Sequence, residues 1–471
     1  MVDRNSLRQL RDLLGPGGLL TPESGLAGYE VGARYDTGRA AFVARPASVA
    51  QVSRVLSFCC RNGIALLPQS GNTGLVAGST PDMSGLQGIL SLDRLREPFE
   101  LDYDNRTLRV GAGVRLSEIN ARMRDAGLSL PIDLGADPCA GGMAATNTGG
   151  ARFLRFGDIR RNTLGLTVVL ANEQGTILEL GGELRKDNTG PDWKQCFIGT
   201  SGAFGVIAEC VFNLERLPVQ TAAAYLVPRS DDHVMPLLHA MEERLGFHLS
   251  AFEGMSGAAI GHALAHVPSL RNPFPGAAIP DYVLFAEVSR SWPRRENEQP
   301  LEAFLEEVLA EIWERAGQPL ADAFTGRPDE MWALRHALSE GVKSAGRLVA
   351  FDLAFRRGDV MRFRSHMRTE LARQFPEVEI CDFGHVGDGG VHFNLVVPRA
   401  AEATDELIDR LRETVITAAV EEFGGSFSAE HGLGRRNQPF YDRYEDPRLK
   451  RLAAAFKRAT SPAPIGAVIL G

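Results

Sequence analysis

Cysteine is scarce in this chain. The 471 residues include six cysteines, at positions 59, 60, 139, 196, 210 and 381. None of them has the C-x-x-C spacing that is typical of zinc clusters and redox dithiols. So few thiols in a long chain indicate a reducing compartment rather than a disulfide scaffold.

Long apolar runs and excess positive charge are also missing. No stretch approaches the about 20 apolar residues that a membrane span needs. Residues 1–14 lack the apolar core of a signal peptide and are instead typical of a capped amphipathic helix. With 51 basic and 59 acidic residues, the net charge of -8 gives no reason to expect nucleic acid or an anionic membrane as a partner. We therefore expect a cytoplasmic protein.

Two common nucleotide-binding motifs are absent as well. The P-loop spacing G-x-x-x-x-G-K-[ST] does not occur. Val110–Val114 follows a strand-like run and precedes the helix-like Leu116–Ala126, as a Rossmann fingerprint would, but Leu116 stands where the third glycine belongs. The sequence thus argues against a nicotinamide Rossmann enzyme and against a P-loop NTPase.

Glycine, by contrast, is abundant between residues 60 and 205. Three segments combine it with Ser, Thr or Asn: 68–75 (PQSGNTGL), 135–150 and 199–207. Such backbone lets consecutive N–H groups converge on an anion. Three loops of this kind predict a long ligand with a pyrophosphate, such as a dinucleotide. The alternative is that they are surface loops.

The composition changes near Pro218, and the following region reads as an α+β layer, a sheet covered by helices. Hydrophobic periodicity predicts strands at Ala224–Val227, Tyr282–Val288 and Leu348–Phe355, and helices at Glu302–Glu314, Asp329–Lys343 and Asp359–Gln374. Residues 401–460 read as mostly helical, with a glycine-rich interruption at 424–434.

The segment 378–397 carries a hairpin signal, Asp388-Gly389 between two apolar runs. If those two residues form the turn, His385 faces His392 directly, close enough for both imidazoles to reach one ion. Asn394 then points to the same face as His392. The alternative is two partly exposed histidines on a hairpin face.

A second acid–histidine group, Glu430 and His431, lies beside glycines in residues 428–434. Two histidines, a carboxylate and an open position can form a catalytic site for Zn²⁺ or a similar ion. On the predicted helix 329–343, Arg335, Ser339 and Lys343 share a face and offer a cation to an anionic substrate, unless that face is merely solvated.

These motifs resemble those of the vanillyl-alcohol-oxidase-type (PCMH-fold) FAD proteins, and most of all the D-2-hydroxyglutarate and D-lactate dehydrogenase branch. The resemblance runs from about residue 40 to about 435. It is carried by residues 69–75, 145–150, 164–166, 184–190, 384–392 and 428–434 and by the helix residues Trp332, Leu334, Arg335 and Ser339.

The resemblance implies an α+β fold with a PCMH-type FAD-binding domain of two α/β subdomains (1–218). It also implies a cap domain with a large antiparallel sheet covered by helices (219–422) and a C-terminal helical segment that returns to the FAD domain (423–471). The FAD contacts it implies are Pro68, Gln69, Ser70, Gly71, Asn72, Thr73, Gly74, Leu75, Gly135, Ala136, Gly141, Gly142, Ala145, Thr146, Asn147, Gly149, Gly150, Gly202, Val206 and Ile207. Residues 68–75 contain no histidine or cysteine, so we expect non-covalent FAD.

By the same resemblance His385, His392 and Glu430 are ligands of a divalent metal, with zinc the leading candidate. His431 is the general base, and Arg335, Ser339, Lys343 and Asn394 bind substrate. The implied reaction is oxidation of a D-2-hydroxy acid to the 2-keto acid by hydride transfer to flavin, with the metal assisting loss of the hydroxyl proton. The candidate electron acceptors are an electron-transfer flavoprotein and a quinone, and a homodimer is a candidate assembly.

One departure affects the substrate. Relatives that act on dicarboxylates carry a Lys-Tyr-Asp motif after the substrate helix, and this chain has Ala350-Phe351-Asp352. Either Lys343 or Arg347 replaces the lysine, or the substrate has a smaller or less charged tail. Two other functions stay open: a metal-free FAD alcohol or sugar oxidase of the same fold, and a flavin-binding subunit of a larger dehydrogenase complex.

Overall fold

A computed structural model describes residues 2–34, 36–315, 317–399 and 403–471. The helices are α1 (Arg4–Leu14), α2 (Ala27–Glu30), α3 (Val49–Arg61), α4 (Leu116–Met123), α5 (Ala140–Thr146), α6 (Phe153–Phe156), α7 (Ile159–Asn162), α8 (Val234–Leu245), α9 (Gly257–His266), α10 (Leu301–Glu314), α11 (Pro328–Ala345), α12 (Val360–Gln374), α13 (Asp405–Thr417), α14 (Gln438–Tyr444) and α15 (Pro447–Thr460). A π-helical stretch, Ala418–Glu422, extends α13.

The strands are β1 (Leu19–Leu20), β2 (Phe42–Ala44), β3 (Leu66–Gln69), β4 (Gly88–Ser91), β5 (Phe99–Asp102), β6 (Thr107–Gly111), β7 (Leu128–Ser129), β8 (Thr163–Val169), β9 (Ile177–Gly181), β10 (Val206–Asn213), β11 (Glu215–Arg216), β12 (Gln220–Pro228), β13 (Leu249–Ser256), β14 (Tyr282–Arg290), β15 (Leu320–Gly326), β16 (Gly346–Ala354), β17 (Glu379–Ile380), β18 (Phe383–Gly384) and β19 (Gly390–Pro398).

The chain divides into two compact units. The first contains the residues up to Gly149, Asp158–Leu217 and Glu430–Gly471, and the second contains Gly150–Gly157 and Pro218–Ala429. These two units are defined by the contacts between their residues. The functional domains 1–218, 219–422 and 423–471 remain a prediction. No helix within the described ranges is both long and apolar enough to cross a membrane.

The first unit contains two main sheets, each with its own apolar core. In the four-stranded sheet, of order β1-β2-β4-β3, both β2 and β3 pair with β4 in parallel. The apolar face of α3 packs against this sheet, with Val52 and Val55 fully buried beside Phe42. The other sheet, of order β5-β6-β10-β8-β9, is antiparallel, and Ile119 of α4 and Met143 of α5 belong to its core.

The second unit is built on one antiparallel sheet, of order β15-β12-β14-β13-β18-β19-β16, with β17 paired to β19. Helices α9 and α11 cover one face, where Ile260 and Leu338 join the apolar core. Phe363 of α12 packs on Phe393 of β19 from the other face. This large antiparallel sheet covered by helices confirms the predicted α+β class.

Candidate active site

The three glycine-rich segments meet one another inside the first unit. Gly71 lies so close to residue 139 that a Cβ added to it would be 3.1 Å from the Cys139 nitrogen, and one at Gly142 would be 3.6 Å from the Ser70 Cβ. Gly202 approaches Pro68 in the same way, at 3.3 Å. The loops therefore form one glycine-lined surface, as a bound dinucleotide requires.

The C-terminal return joins this surface. A Cβ at Gly434 would be 2.2 Å from the Val76 carbonyl oxygen, so only glycine fits that position. The Ser201 hydroxyl donates to the Leu433 carbonyl at 2.9 Å. Glu430 and His431 directly precede this contact, with 3.9 Å between a Glu430 oxygen and His431 Nε2. The segment that carries the acid–histidine pair is thus anchored next to the glycine-rich segment 68–75.

Two of the polar side chains that were predicted to contact FAD make hydrogen bonds that shape the loops. The Gln69 amide donates to the Tyr29 and Ser79 carbonyls at 2.9 and 2.8 Å. Asn147 has a left-handed backbone, with φ of 52°, and its amide donates to Asp158 at 2.8 Å. In this arrangement the loop backbone, rather than these amides, is the group available to a ligand.

Among the predicted FAD residues, Gly141, Val206 and Ile207 are packed in the interior of the first unit. Gly141 would bring a Cβ within 2.5 Å of the Ala112 Cβ, and Val206 and Ile207 are 1% and 3% exposed in the apolar cores. The side chains of Val206 and Ile207 therefore belong to the cores beneath the loops. Gly150 belongs to the second unit, whereas Gly149 belongs to the first.

Sequence reasoning missed Arg435, which follows the Gly434 contact. Burial lowers the pKa of its guanidinium, and one buried Nη2 has no hydrogen-bond partner in the part of the chain that the structure describes. A half-buried cation with an unmade hydrogen bond suits an anionic ligand. Together with the glycine-lined loops, it fits the diphosphate of FAD.

In the second unit the hairpin brings the two histidines together, but not in the predicted register. His392 pairs with Phe383 rather than with His385, and the connecting loop runs from His385 to Gly389. The two-residue turn at Asp388-Gly389 was wrong because the amides of Asp388, Gly389 and Gly390 all donate to the His385 carbonyl, which closes a longer loop. The imidazole rings nevertheless lie 5.2 Å apart, centroid to centroid.

Each of these histidines lies next to a buried carboxylate. His385 Nδ1 is 2.9 Å from a Glu253 oxygen, and His392 Nδ1 is 3.6 Å from Asp352. A carboxylate at Nδ1 sets the ring orientation and favours the tautomer with a lone pair on Nε2, as in metal-binding histidines. The pair therefore fits an imidazole-bound divalent ion. Glu430 and His431 belong to the first unit, and their approach to this pair stays a prediction.

The Arg335 side chain is buried rather than solvated, and part of its guanidinium is already hydrogen-bonded within the protein. Its side chain is 9% exposed, and its Nε and Nη2 donate to one Glu253 oxygen at 2.8 and 2.6 Å. The other oxygen of Glu253 accepts from His385. Burial alone would raise the pKa of Glu253, but His385 and Arg335 lower it to about 2. Sequence reasoning missed Glu253, whose only local signal is an acidic residue within the buried, strand-like run 249–256.

The other substrate candidates divide between buried and exposed positions. Asn394 is 5% exposed and lies opposite Ala350 across the strands. Ser339 is exposed, and the Lys343 side chain is 57% exposed and lies 3.6 Å from Glu340. The predicted common face of α11 was therefore wrong, because Arg335 turns into the sheet while Ser339 and Lys343 face solvent.

A second buried carboxylate, also missed from sequence, fixes the start of α11. Glu287 accepts hydrogen bonds from Arg152 at 2.8 and 2.9 Å, from the Trp332 indole at 2.6 Å and from the Ser250 hydroxyl at 2.6 Å. Burial opposes the charge of Glu287, but these donors lower its pKa. This network holds Trp332, one turn before Arg335, against the sheet.

Comparison with known proteins identifies the family of the chain. Residues 40–181 match the family described as FAD binding domain, and residues 217–465 match FAD linked oxidases, C-terminal domain. Among solved structures, alkyldihydroxyacetonephosphate synthase covers 98% of this chain with 84% of its own (TM-score 0.72, 14% identity). 4-Ethylphenol oxidase from Gulosibacter chungangensis covers 98% with 95% of its own (TM-score 0.72, 18% identity).

Relatives in sequence include the probable mitochondrial D-2-hydroxyglutarate dehydrogenase of Oryza sativa subsp. japonica, 30% identical over 98% of this chain and 80% of its own. The D-2-hydroxyglutarate dehydrogenase of Stutzerimonas stutzeri is 28% identical over 98% and 97%. The mitochondrial enzyme of Rattus norvegicus is 34% identical over 89% and 75%. The chain belongs to the PCMH-type FAD-linked oxidases, in the branch of the D-2-hydroxy-acid dehydrogenases.

Proposed function

We propose that this protein uses FAD to oxidise a D-2-hydroxy acid to the 2-keto acid, with a divalent metal at the histidine pair. The observation that carries the metal part is the pair itself, in which His385 and His392 lie side by side. His385 is hydrogen-bonded to the buried Glu253, and His392 lies 3.6 Å from the buried Asp352. Such a pair in an enzyme of this branch suits the binding of a substrate hydroxyl and carboxylate through an ion. Zinc is the leading candidate because two imidazoles and a carboxylate are its usual ligands.

In this proposal each of the site residues has a defined role. His385, His392 and Glu430 would hold the ion, and His431 would accept the hydroxyl proton. Asn394 and Arg335 orient the substrate carboxylate, with Glu253 holding Arg335 in place. The glycine-lined loops and Arg435 hold FAD, which when bound accepts the hydride from C2.

We further propose a substrate without a second carboxylate. Ala350 stands where the dicarboxylate enzymes have lysine, and it shares a sheet face with Asn394. Arg347 is three residues away on the same strand, so its side chain points to the opposite face. Lys343 is exposed and lies beside Glu340. Neither cation is placed to replace the missing lysine, which favours a short or uncharged tail.

Anaerobic bleaching of the flavin tests both proposals. We expect D-2-hydroxy acids with short tails to bleach it and L-enantiomers to fail, and we expect a chelator to slow bleaching until Zn²⁺ is restored. Bleaching by simple alcohols or sugars that a chelator does not affect would favour the metal-free oxidase. If no 2-hydroxy acid bleached the flavin, the accessory-subunit alternative would be favoured. The acceptor, the homodimer and the cytoplasmic location stay predictions.

A further inference from the structure

A histidine, a glutamate and a cysteine form a compact group in the second unit, away from the histidine pair. His262 lies on α9, Glu379 opens β17 and Cys381 follows two residues later. His262 Nε2 is 2.7 Å from a Glu379 oxygen. One ligand atom from each of the three residues lies within 4.8 Å of the other two.

The chemistry of the three groups fits a borderline-soft cation. Imidazole, carboxylate and thiolate are the side chains that bind Zn²⁺, and three of them with a water complete a tetrahedron. The side chains of His262 and Glu379 are 30% and 45% exposed, so an ion can enter from solvent, while Cys381 is fully buried beneath them. Burial and the Glu379 carboxylate raise the pKa of the Cys381 thiol, which keeps its proton until a cation replaces it.

We propose that His262, Glu379 and Cys381 form a second divalent-cation site, selective for Zn²⁺ and similar thiophilic ions. On binding, the Cys381 sulfur forms a bond to the metal and its proton leaves to solvent, with no change of oxidation state. Glu379 pairs with Val396 of β19, four residues from His392. At about 3.3 Å per residue, the site lies about 13 Å from the histidine pair.

The position of this site gives an ion a structural consequence. It would join α9 to β17, a two-residue strand that pairs with β19. Helix α9 packs closely on α11, since a Cβ at Gly341 would lie 2.5 Å from the Ala263 Cα. Because α11 also carries Arg335, a cation at this site would stabilise the helical layer over the substrate-binding face.

Cadmium is the probe that separates this site from the histidine pair. A thiolate bound to Cd²⁺ gives a charge-transfer band in the ultraviolet, and the ligands proposed for the catalytic ion include no cysteine. Titration of the reduced-thiol holoenzyme with Cd²⁺, followed by difference absorption, is expected to give one saturable thiolate band. Zn²⁺ should compete for it, and His392→Ala should leave it unchanged.

Substitutions of the three residues test whether each one is a ligand of the bound ion. Cys381→Ser should abolish the band, and His262→Ala and Glu379→Gln should weaken Cd²⁺ binding by about 100-fold or more, since even indirect partners of a metal are worth 10–100-fold. His266→Ala, one turn along α9, and Cys196→Ser, in the first unit, are matched controls that should retain it. A missing or unsaturable band, or one that survives His262→Ala at full affinity, would overturn the proposal. If Cys381→Ser does not fold, the two surface variants decide.

Discussion

At the scale of single residues, one carboxylate links two functions. Glu253 gives one oxygen to Arg335 and the other to His385. It therefore positions both the cation that we propose binds the substrate carboxylate and a histidine that we propose binds the metal. Removing one partner of a buried ion pair typically costs about 3–5 kcal/mol because the other charge is left uncompensated. Arg335→Ala would therefore confuse substrate binding with stability, whereas the isosteric Glu253→Gln keeps the size of the buried side chain and a hydrogen-bond acceptor for Arg335.

For Glu253→Gln we expect metal affinity and kcat to fall by about 10–100-fold, because the amide holds the His385 tautomer less firmly. Glu287→Gln is the matched control: it removes a buried carboxylate on the same unit without touching either histidine. It should lower stability but leave metal affinity unchanged. Equal metal affinity in both variants would remove Glu253 from its positioning role.

Arg435 allows a similar test of the flavin site. Loss of a charge-assisted hydrogen bond worth about 1.5–3 kcal/mol should raise the Kd for FAD by about 10–100-fold in Arg435→Ala. The neighbouring Arg436 is already paired with Asp36 at 2.8 Å, so Arg436→Ala should leave the Kd nearly unchanged. Flavin fluorescence during reconstitution of the apoprotein measures both. Equal Kd values would contradict the assignment.

At the scale of elements, strand alternation determines which side chains would face the proposed substrate tail. Ala350, Asp352, His392 and Asn394 pair across β16 and β19 and share one face. Ala350→Lys would add a cation on that face, so the ratio of kcat/KM for D-2-hydroxyglutarate over D-lactate should rise about tenfold or more. Steady-state kinetics gives the ratio. If Arg347 already supplied the cation, Arg347→Ala would abolish activity on the dicarboxylate and Ala350→Lys would add little.

The hairpin loop depends on a backbone that favours glycine. Gly389 has φ of 101°, and a Cβ there would lie 2.3 Å from the Phe355 carbonyl oxygen. Gly389→Ala should cost about 2 kcal/mol or more and lower the Tm by about 4–8 °C. Gly358→Ala, in the same unit with nothing within 4 Å of its added Cβ, is the control and should change the Tm little. Comparable losses in both variants would contradict this account.

Elements with strong periodicity could be read from the sequence. The predicted helices 302–314, 329–343 and 359–374 differ from α10, α11 and α12 by no more than two residues at either end. The hairpin register could not be read, because three amides that converge on the His385 carbonyl leave no pattern in the residues. Glu253 and Glu287 were missed for a related reason, since their partners are at least 82 and 37 residues away, respectively.

At the scale of the whole molecule, acid should both unfold the protein and release its FAD. The pKa of Glu287 is lowered from 4.5 in the folded state, so its contribution is present above pH 4.5 and is lost as the pH falls through the folded value. The stability advantage of the wild type over Glu287→Gln should therefore shrink below pH 4.5. Circular dichroism during acid titration measures it, and a constant difference would contradict the shift.

Precipitation of the protein by acid tests how the flavin is attached. Because residues 68–75 offer no histidine or cysteine for a covalent bond, precipitation by acid should leave the yellow colour in the supernatant. Colour retained in the pellet after washing would show covalent flavin and contradict the prediction.

The first unit is assembled from segments near both ends of the chain, and this has a consequence for biosynthesis. Its glycine-lined surface is completed by Leu433 and Gly434, which the ribosome makes after the entire second unit. More than three hundred residues are therefore synthesised after Val76 and Gly78 before the segment that packs on them is made. Capture of the cofactor is thus a late event in the maturation of the nascent polypeptide, and truncation before residue 430 should yield a colourless product.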